Sequence, residues 1–262
     1  MINKIKLGQL FVFLGLLLIQ QSVISQNLYN HLVWSDEFNY VGSPDSLKWT
    51  YDIGNGCPKN CGWGNQELES YTNRMQNVYV QNGVLKITAI KEKFNGSDYT
   101  SARILTKGKF SFKYGRVEVM AKVPAEVGTW PAIWMLGNNI DTTNWPACGE
   151  IDIMEHRGRD INKIFGTLHY PGHYGDKGNG NTKIISNATT EFHKYTLEWT
   201  PTSIKLFIDN QLLHSVANSE GIPFNQNFFL ILNMAMGGGF AGPVDPAFSN
   251  ASMEVDYIRV YQ

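Results

Sequence analysis

The sequence has 262 residues, with 22 basic and 23 acidic side chains, 43% hydrophobic and 13% aromatic residues. So even a charge balance gives no reason to expect nucleic acid or another anionic polymer as partner, and points to an uncharged substrate. The length suits one large domain with a substantial core.

Lys4 and Lys6 precede an uncharged, Leu-rich stretch from Leu7 to Ile19, and Val23 and Ser25 occupy the −3 and −1 positions of a cleavage site. This layout predicts a secretory signal peptide over residues 1–25; the alternative is an uncleaved membrane anchor. No Cys follows the apolar run, which argues against a lipoprotein anchor. Without Lys4 and Lys6 the remaining 237 residues carry 20 basic and 23 acidic side chains, a net charge of −3. Residues 26–262 form the expected single domain, secreted and free of the membrane.

Cys57 and Cys61 in "GCPKNCGWG" could close a small disulfide loop in an exported protein. A zinc site is the sharper alternative, but no second Cys pair or His cluster completes it. Apolar alternation then predicts strands over 84–90 ("VLKITAI") and 115–123 ("GRVEVMAKV"). Cys148 reads as a small buried thiol. The turn-rich stretch 169–183 reads as a long loop beside a ligand site. Further strands are expected over 194–200, 203–209, 227–236 and 253–262. Many short strands separated by turn residues indicate a sandwich or barrel of antiparallel sheets.

The stretch "GEIDIMEH" (149–156) places Glu150, Asp152 and Glu155 within six positions of an apolar run. Alternation puts Glu150, Asp152 and Met154 on one face of a strand, with Ile151 and Ile153 toward the core. Glu155 falls one residue out of phase. A β-bulge at Ile153–Met154 would return it to the face of the other two acids. Carboxyls so close cannot all stay ionised, and their pKa values are pushed apart. A retaining glycosidase uses that arrangement: an ionised nucleophile and a protonated donor, roughly 5–5.5 Å apart.

With these residues in place the chain resembles glycoside hydrolase family sixteen, and its laminarinase-like members in particular. The resemblance covers nearly all of the chain after the leader. It runs through "LVWSDEF" (32–38), "CGWGNQELESYT" (61–72), "YTSARI" (99–104), "GTWPAIWMLG" (128–137), "WPACGEIDIMEHRG" (145–158), "GTLHY" (166–170) and "MEVDYIRVYQ" (253–262). It implies a concanavalin-like jelly-roll β-sandwich of two antiparallel sheets with an open groove, and endo-acting, retaining hydrolysis of β-glucan. Glu150 matches the family's nucleophile, Asp152 the carboxylate that assists it, and Glu155 the acid/base.

The same resemblance places Trp130, Trp134, Asn65, Arg103 and His169 in the groove, with Glu69 a weaker sugar contact. Trp145 is grouped with the groove aromatics, whose faces stack on sugar rings. His156 should point to the opposite face. "WSDEF" and "VDYIRVYQ" are implied to pair as outer strands holding a structural Ca²⁺ through Glu37, the Gly83 backbone and Asp256. A solvated acidic patch without an ion stays open there. No cofactor is expected for catalysis, and a monomer is expected. Asn95, Asn187 and Asn250 head glycosylation sequons that matter only in a eukaryotic source.

Three activities fit: an endo-β-1,3-glucanase, also acting on mixed β-1,3/1,4 glucan; a sister agarase, carrageenase or transglycosylase; or a non-catalytic carbohydrate-binding jelly roll. A binder has no use for three clustered acids, so the first is expected.

Overall fold

The computed structural model describes residues 29–262, and the leader read at residues 1–25 lies outside the described residues. Strands β1 (Leu32–Asp36), β2 (Thr50–Asp52), β3 (Glu69–Tyr71), β4 (Val78–Gln81), β5 (Val84–Phe94) and β6 (Ser97–Ser101) come first. Next are β7 (Arg103–Leu105), β8 (Gly115–Lys122), β9 (Thr129–Gly137), β10 (Glu150–His156), β11 (Lys163–His169) and β12 (Asn179–Ile184). Last come β13 (His193–Trp199), β14 (Ser203–Ile208), β15 (Gln211–Ala217), β16 (Phe228–Met236) and β17 (Asn250–Tyr261).

They build two sheets. The first runs β15-β14-β13-β8-β17-β5-β6-β3, with β1 paired to β17 and β4 to β5. The second runs β12-β11-β10-β9-β16-β7-β2. Leu85, Ile87 and Ala89 of β5 and Val117, Val119 and Ala121 of β8 are fully buried, as their alternation requires. They meet Ile133, Met135, Ile151, Ile153, Leu230 and Leu232 of the second sheet in one core. Trp199 is buried among Phe112, Tyr114 and Phe228, and its indole N–H donates to the Phe224 carbonyl at 3.0 Å, so its one polar group is satisfied.

Two expectations are corrected here. The sheets are not antiparallel throughout: β3 runs parallel to β6. The stretch 169–183 is not all loop either, because β12 pairs with β11 from Lys163↔Ile184 to Leu168↔Asn179. As a sheet-edge strand with mostly exposed residues, β12 needs no apolar alternation, and its Gly, Asn and Thr residues read as turn.

Strand β16 explains why its sequence is apolar without a break. Every residue in it is buried, because both faces of the second sheet are covered. Leu230, Leu232 and Met234 face the main core. Phe229 and Ile231 face the other way and join Leu105, Leu136 and Cys148 in a second, smaller apolar cluster. That second face carries the acids.

Candidate active site

The site begins with a break in register. Against β9, Asp152 pairs with Trp134 but Met154 with Ile133; against β11, Asp152 pairs with Thr167 and Glu155 with Phe165. Three steps along β10 thus match two along β11, the bulge expected at Ile153–Met154. Met154 turns into the core beside Ile153, and Glu155 comes round to the face of Glu150 and Asp152. The partner position spanned by the bulge is Gly166, where a Cβ would stand 2.7 Å from Leu213 Cδ2 and 2.8 Å from Leu206 Cδ1. Just before the strand, Gly149 takes φ +78°, and a Cβ there would meet Phe228 Cζ at 2.9 Å. The chain can enter β10 this way only with glycine.

Register then lays out the face in rows. Ala132 of β9, Glu155 and Phe165 form one row, Trp134, Asp152 and Thr167 the next, and Leu136, Glu150 and His169 the third. Each outer acid holds an indole. Trp145 Nε1 donates to Glu150 Oε2 at 3.0 Å, and Trp130 Nε1 donates to Glu155 Oε1 at 3.0 Å. His169 Nε2 stands 3.2 Å from Asp152 Oδ2 and 3.8 Å from Glu150 Oε1.

Burial dominates the electrostatics. It pushes Glu155 up to about 8, helped by the Asp152 charge and opposed by the Trp130 N–H. Burial also pushes Asp152 up to about 8, against a hydrogen bond with Glu150. Glu150 is driven well above the usual carboxylate range by burial first and by Asp152 second, with His169 and the Trp145 N–H pulling the other way. The Asp152 charge beside it thus makes Glu150 harder to ionise, while the contact with Glu150 eases ionisation of Asp152.

Trp134 lies in the row of Asp152, one strand away, and its Nε1 donates to Asn233 Oδ1 at 2.8 Å. Asn233 Nδ2 donates to the Tyr71 hydroxyl, Tyr71 to Glu67, and Asn65 Nδ2 to the other Glu67 oxygen. The Arg103 guanidinium lies over the rings of both Trp63 and Trp134, with Nε 3.0 Å from Asp52 Oδ2. Arg103 is therefore both a face residue and an ion-pair partner. At the other end, Trp130 packs on Phe240, which packs on Phe165. Trp145 is 42% exposed and contacts His169 and Tyr174.

Glu69 does not join this face. It is fully buried and accepts from the Met236 backbone N–H at 2.6 Å, so it is no sugar contact. His156 is buried on the core side, paired across the strands with Ile164, and burial pushes it down to about 4. Cys148 is buried in the small cluster, and burial pushes its thiol up to about 11. Cys57 and Cys61 form a disulfide. Trp63, Tyr71, Asn233, Phe165, Phe240 and Tyr174 were not read from the sequence. Asn233 carried a signal: it is the one polar residue inside the apolar run 228–236.

Of the implied calcium ligands, Glu37 follows β1, Asp256 lies in β17 and Gly83 in the turn between β4 and β5. Both Glu37 oxygens accept from Arg259, at 2.9 Å from Nε and 2.7 Å from Nη2. A cation there would have to displace a bidentate guanidinium, so Glu37 as arranged does not fit the role.

The model of the family described as glycosyl hydrolases family 16 matches residues 65–259. The chain belongs to glycosyl hydrolase family 16. It is 45% identical over 248 residues to a "Beta-glucanase" of Rhodothermus marinus, covering 88% of this chain and 85% of that protein. Its fold superposes on the laminarinase from Rhodothermus marinus with TM-score 0.84 at 44% identity, covering 90% of this chain and 99% of that one. A LamA variant from Z. galactanivorans, solved in complex with laminaritriose and laminaritetraose, matches at TM-score 0.81 and 44% identity over 89% of this chain and all of the other.

Proposed function

We propose that this family 16 hydrolase is an endo-β-1,3-glucanase that cleaves laminarin-type glucan with retention of configuration, and accepts mixed β-1,3/1,4 glucan as well. The observation that carries the reading is the bulge, which gathers Glu150, Asp152 and Glu155 on one face. Glu150 attacks the anomeric carbon while Glu155 donates its proton to the leaving glycosidic oxygen, and a glycosyl-enzyme forms. Glu155, now ionised, takes a proton from water, which attacks the same carbon and frees Glu150. A Glu155 held protonated to about 8 suits the donor role at neutral pH. Attack requires Glu150 ionised, and the Trp145 N–H and His169 both favour its charge, against burial and Asp152.

Substrate class follows from what the face lacks. The guanidiniums of Arg103 and Arg157 lie against aromatic rings of the face but are paired with Asp52 and Asp160, which supports a neutral glucan over a sulfated galactan. Trp134 and Trp145 supply the aromatic surface that sugar rings stack on. A purely binding role is disfavoured because two buried carboxyls and a third that is partly buried cost stability that only chemistry requires. The pattern of residues 1–25 supports secretion, and the enzyme is proposed to act as a monomer. Among the described residues no helix is long and apolar enough to cross a membrane.

The test is incubation with laminarin, lichenan, agarose and carrageenan, with sizing of the products. Short β-1,3-oligosaccharides from laminarin are expected. Cleavage of agarose without release of reducing ends from laminarin would overturn the reading.

A further inference from the structure

Glu150, Asp152 and His169 turn three ligand-type atoms toward one point. Glu150 Oε1, Asp152 Oδ2 and His169 Nε2 all lie within 4.8 Å of one another, and two of the separations are 3.2 and 3.8 Å. A tetrahedral ion with bonds of about 2.0–2.1 Å needs ligand atoms about 3.3–3.4 Å apart, so small side-chain rotations would close the set. The spacing is set by the sheet, because Glu150 and His169 are direct cross-strand partners and Asp152 pairs one row away.

Two further observations point into this gap. Asp152 is 4% exposed, and its Oδ2 is buried with no hydrogen-bond donor on it. Glu150 Oε2 accepts from Trp145, and Oε1 stands 3.8 Å from the imidazole Nε2. Among the described residues no Lys or Arg forms an ion pair with either carboxylate; His169 is the one basic partner. Space for the ring is reserved as well. A Cβ at Gly178, just before β12, would stand 2.6 Å from His169 Cε1 and from Thr167 Cγ2, so glycine leaves room for the imidazole there.

We propose that this trio is a binding site for a zinc-class divalent cation, one per chain, and that the bound ion blocks Glu150 and so inhibits the enzyme reversibly. One imidazole and two carboxylates with a fourth position open form the donor set of an accessible zinc site. Ca²⁺, which takes six to eight oxygens, finds too few here. The inhibition half rests on the reading of Glu150 as nucleophile; the binding half stands on the geometry alone.

The experiment is titration of the full-length purified protein with ZnCl₂ near neutral pH by calorimetry, with CaCl₂ in parallel. Laminarin hydrolysis is then followed over the same zinc range and at several laminarin concentrations. Saturable binding of one Zn²⁺ is expected, with inhibition that added laminarin relieves and no matching effect of Ca²⁺. His169→Gln and Asp152→Asn should each weaken zinc binding at least about tenfold, the loss typical even of an outer-shell partner. His193→Gln removes a separate His–carboxylate pair with Asp209 and should leave zinc binding unchanged. Absence of saturable binding, or binding undiminished in both His169→Gln and Asp152→Asn, would overturn the site. Zinc bound at the trio with hydrolysis unaffected would overturn the inhibition. Hydrolysis of laminarin without zinc reports on the enzyme assignment separately.

Discussion

Each outer glutamate carries one indole N–H, yet the two face different tasks. Trp145 holds an acid whose ionisation the Asp152 charge opposes, whereas Trp130 holds an acid that keeps its proton to about 8. Removing either acid should therefore fail in its own way. Glu150→Ala loses the nucleophile, so no glycosyl-enzyme forms; azide entering from the opposite face should yield the α-glycosyl azide. Glu155→Ala loses the proton donor, so an aryl glycoside with a good leaving group should still react, and azide should return the β-glycosyl azide. NMR of the azide products decides it, and an α-azide from the Glu155 variant would reverse the assignment. The Glu155 carboxyl also makes stability depend on pH. Its pKa rises from 4.5 to about 8 on folding, so the unfolded chain releases this proton first as pH climbs. The stabilising preference for the protonated fold is complete below about 4.5 and fades as pH rises through 8. Glu155→Gln does not titrate. Its unfolding free energy relative to the parent should rise from about pH 4 to pH 8, by on the order of a few kcal/mol, and its melting temperature should rise with it. Calorimetry across that range checks it, and a constant difference would show that Glu155 gives up its proton as easily as the unfolded chain.

At the scale of the element, parity along β10 decides which acids meet. Deleting Met154 removes the bulge but keeps Glu150, Asp152 and Glu155 on one face. Deleting Ile151 turns Glu150 into the core. Both deletions remove one fully buried apolar residue, at about 2–5 kcal/mol each by analogy with large-to-small core changes. Only the second breaks the constellation. The Met154 deletion should lower hydrolysis by no more than about a hundredfold, the scale of a 1 Å misplacement. The Ile151 deletion should abolish it even where circular dichroism shows a folded protein. Equal loss in two folded variants would mean that the bulge does more than set parity. Strand β16 shows the same logic from its other side: with both faces covered, its pattern loses the alternation that identifies β8.

For the whole molecule, the two termini of the domain are tied by β1 against β17, with Glu37 gripping Arg259 beside that seam. Both side chains are about one-third exposed, so the pair contributes at most about 1 kcal/mol. Because Arg259 already occupies the Glu37 carboxylate, chelation by EDTA should leave the melting temperature unchanged. A chelator-induced drop reversed by Ca²⁺ would show that the seam rearranges around an ion. The strands read over 84–90 and 115–123, which the structure has at 84–94 and 115–122, the face shared by Asp152 and Glu150, and the bulge that recovers Glu155 were all legible in the sequence. Each is a local property of a chain whose side chains alternate. Distance along the chain hid the rest. Asn233 reaches Tyr71 across 162 residues, and Arg103 finds Trp63 and Trp134 only after β7, β9 and β16 have come together. Likewise β12 and the parallel β3–β6 pair exist because a neighbouring strand offers them hydrogen bonds, which no pattern within either segment encodes. The sequence by itself determined which side chains could share a face, because that is a matter of parity. The tertiary structure decided which faces meet, because strand pairing is chosen by packing between residues far apart in the chain.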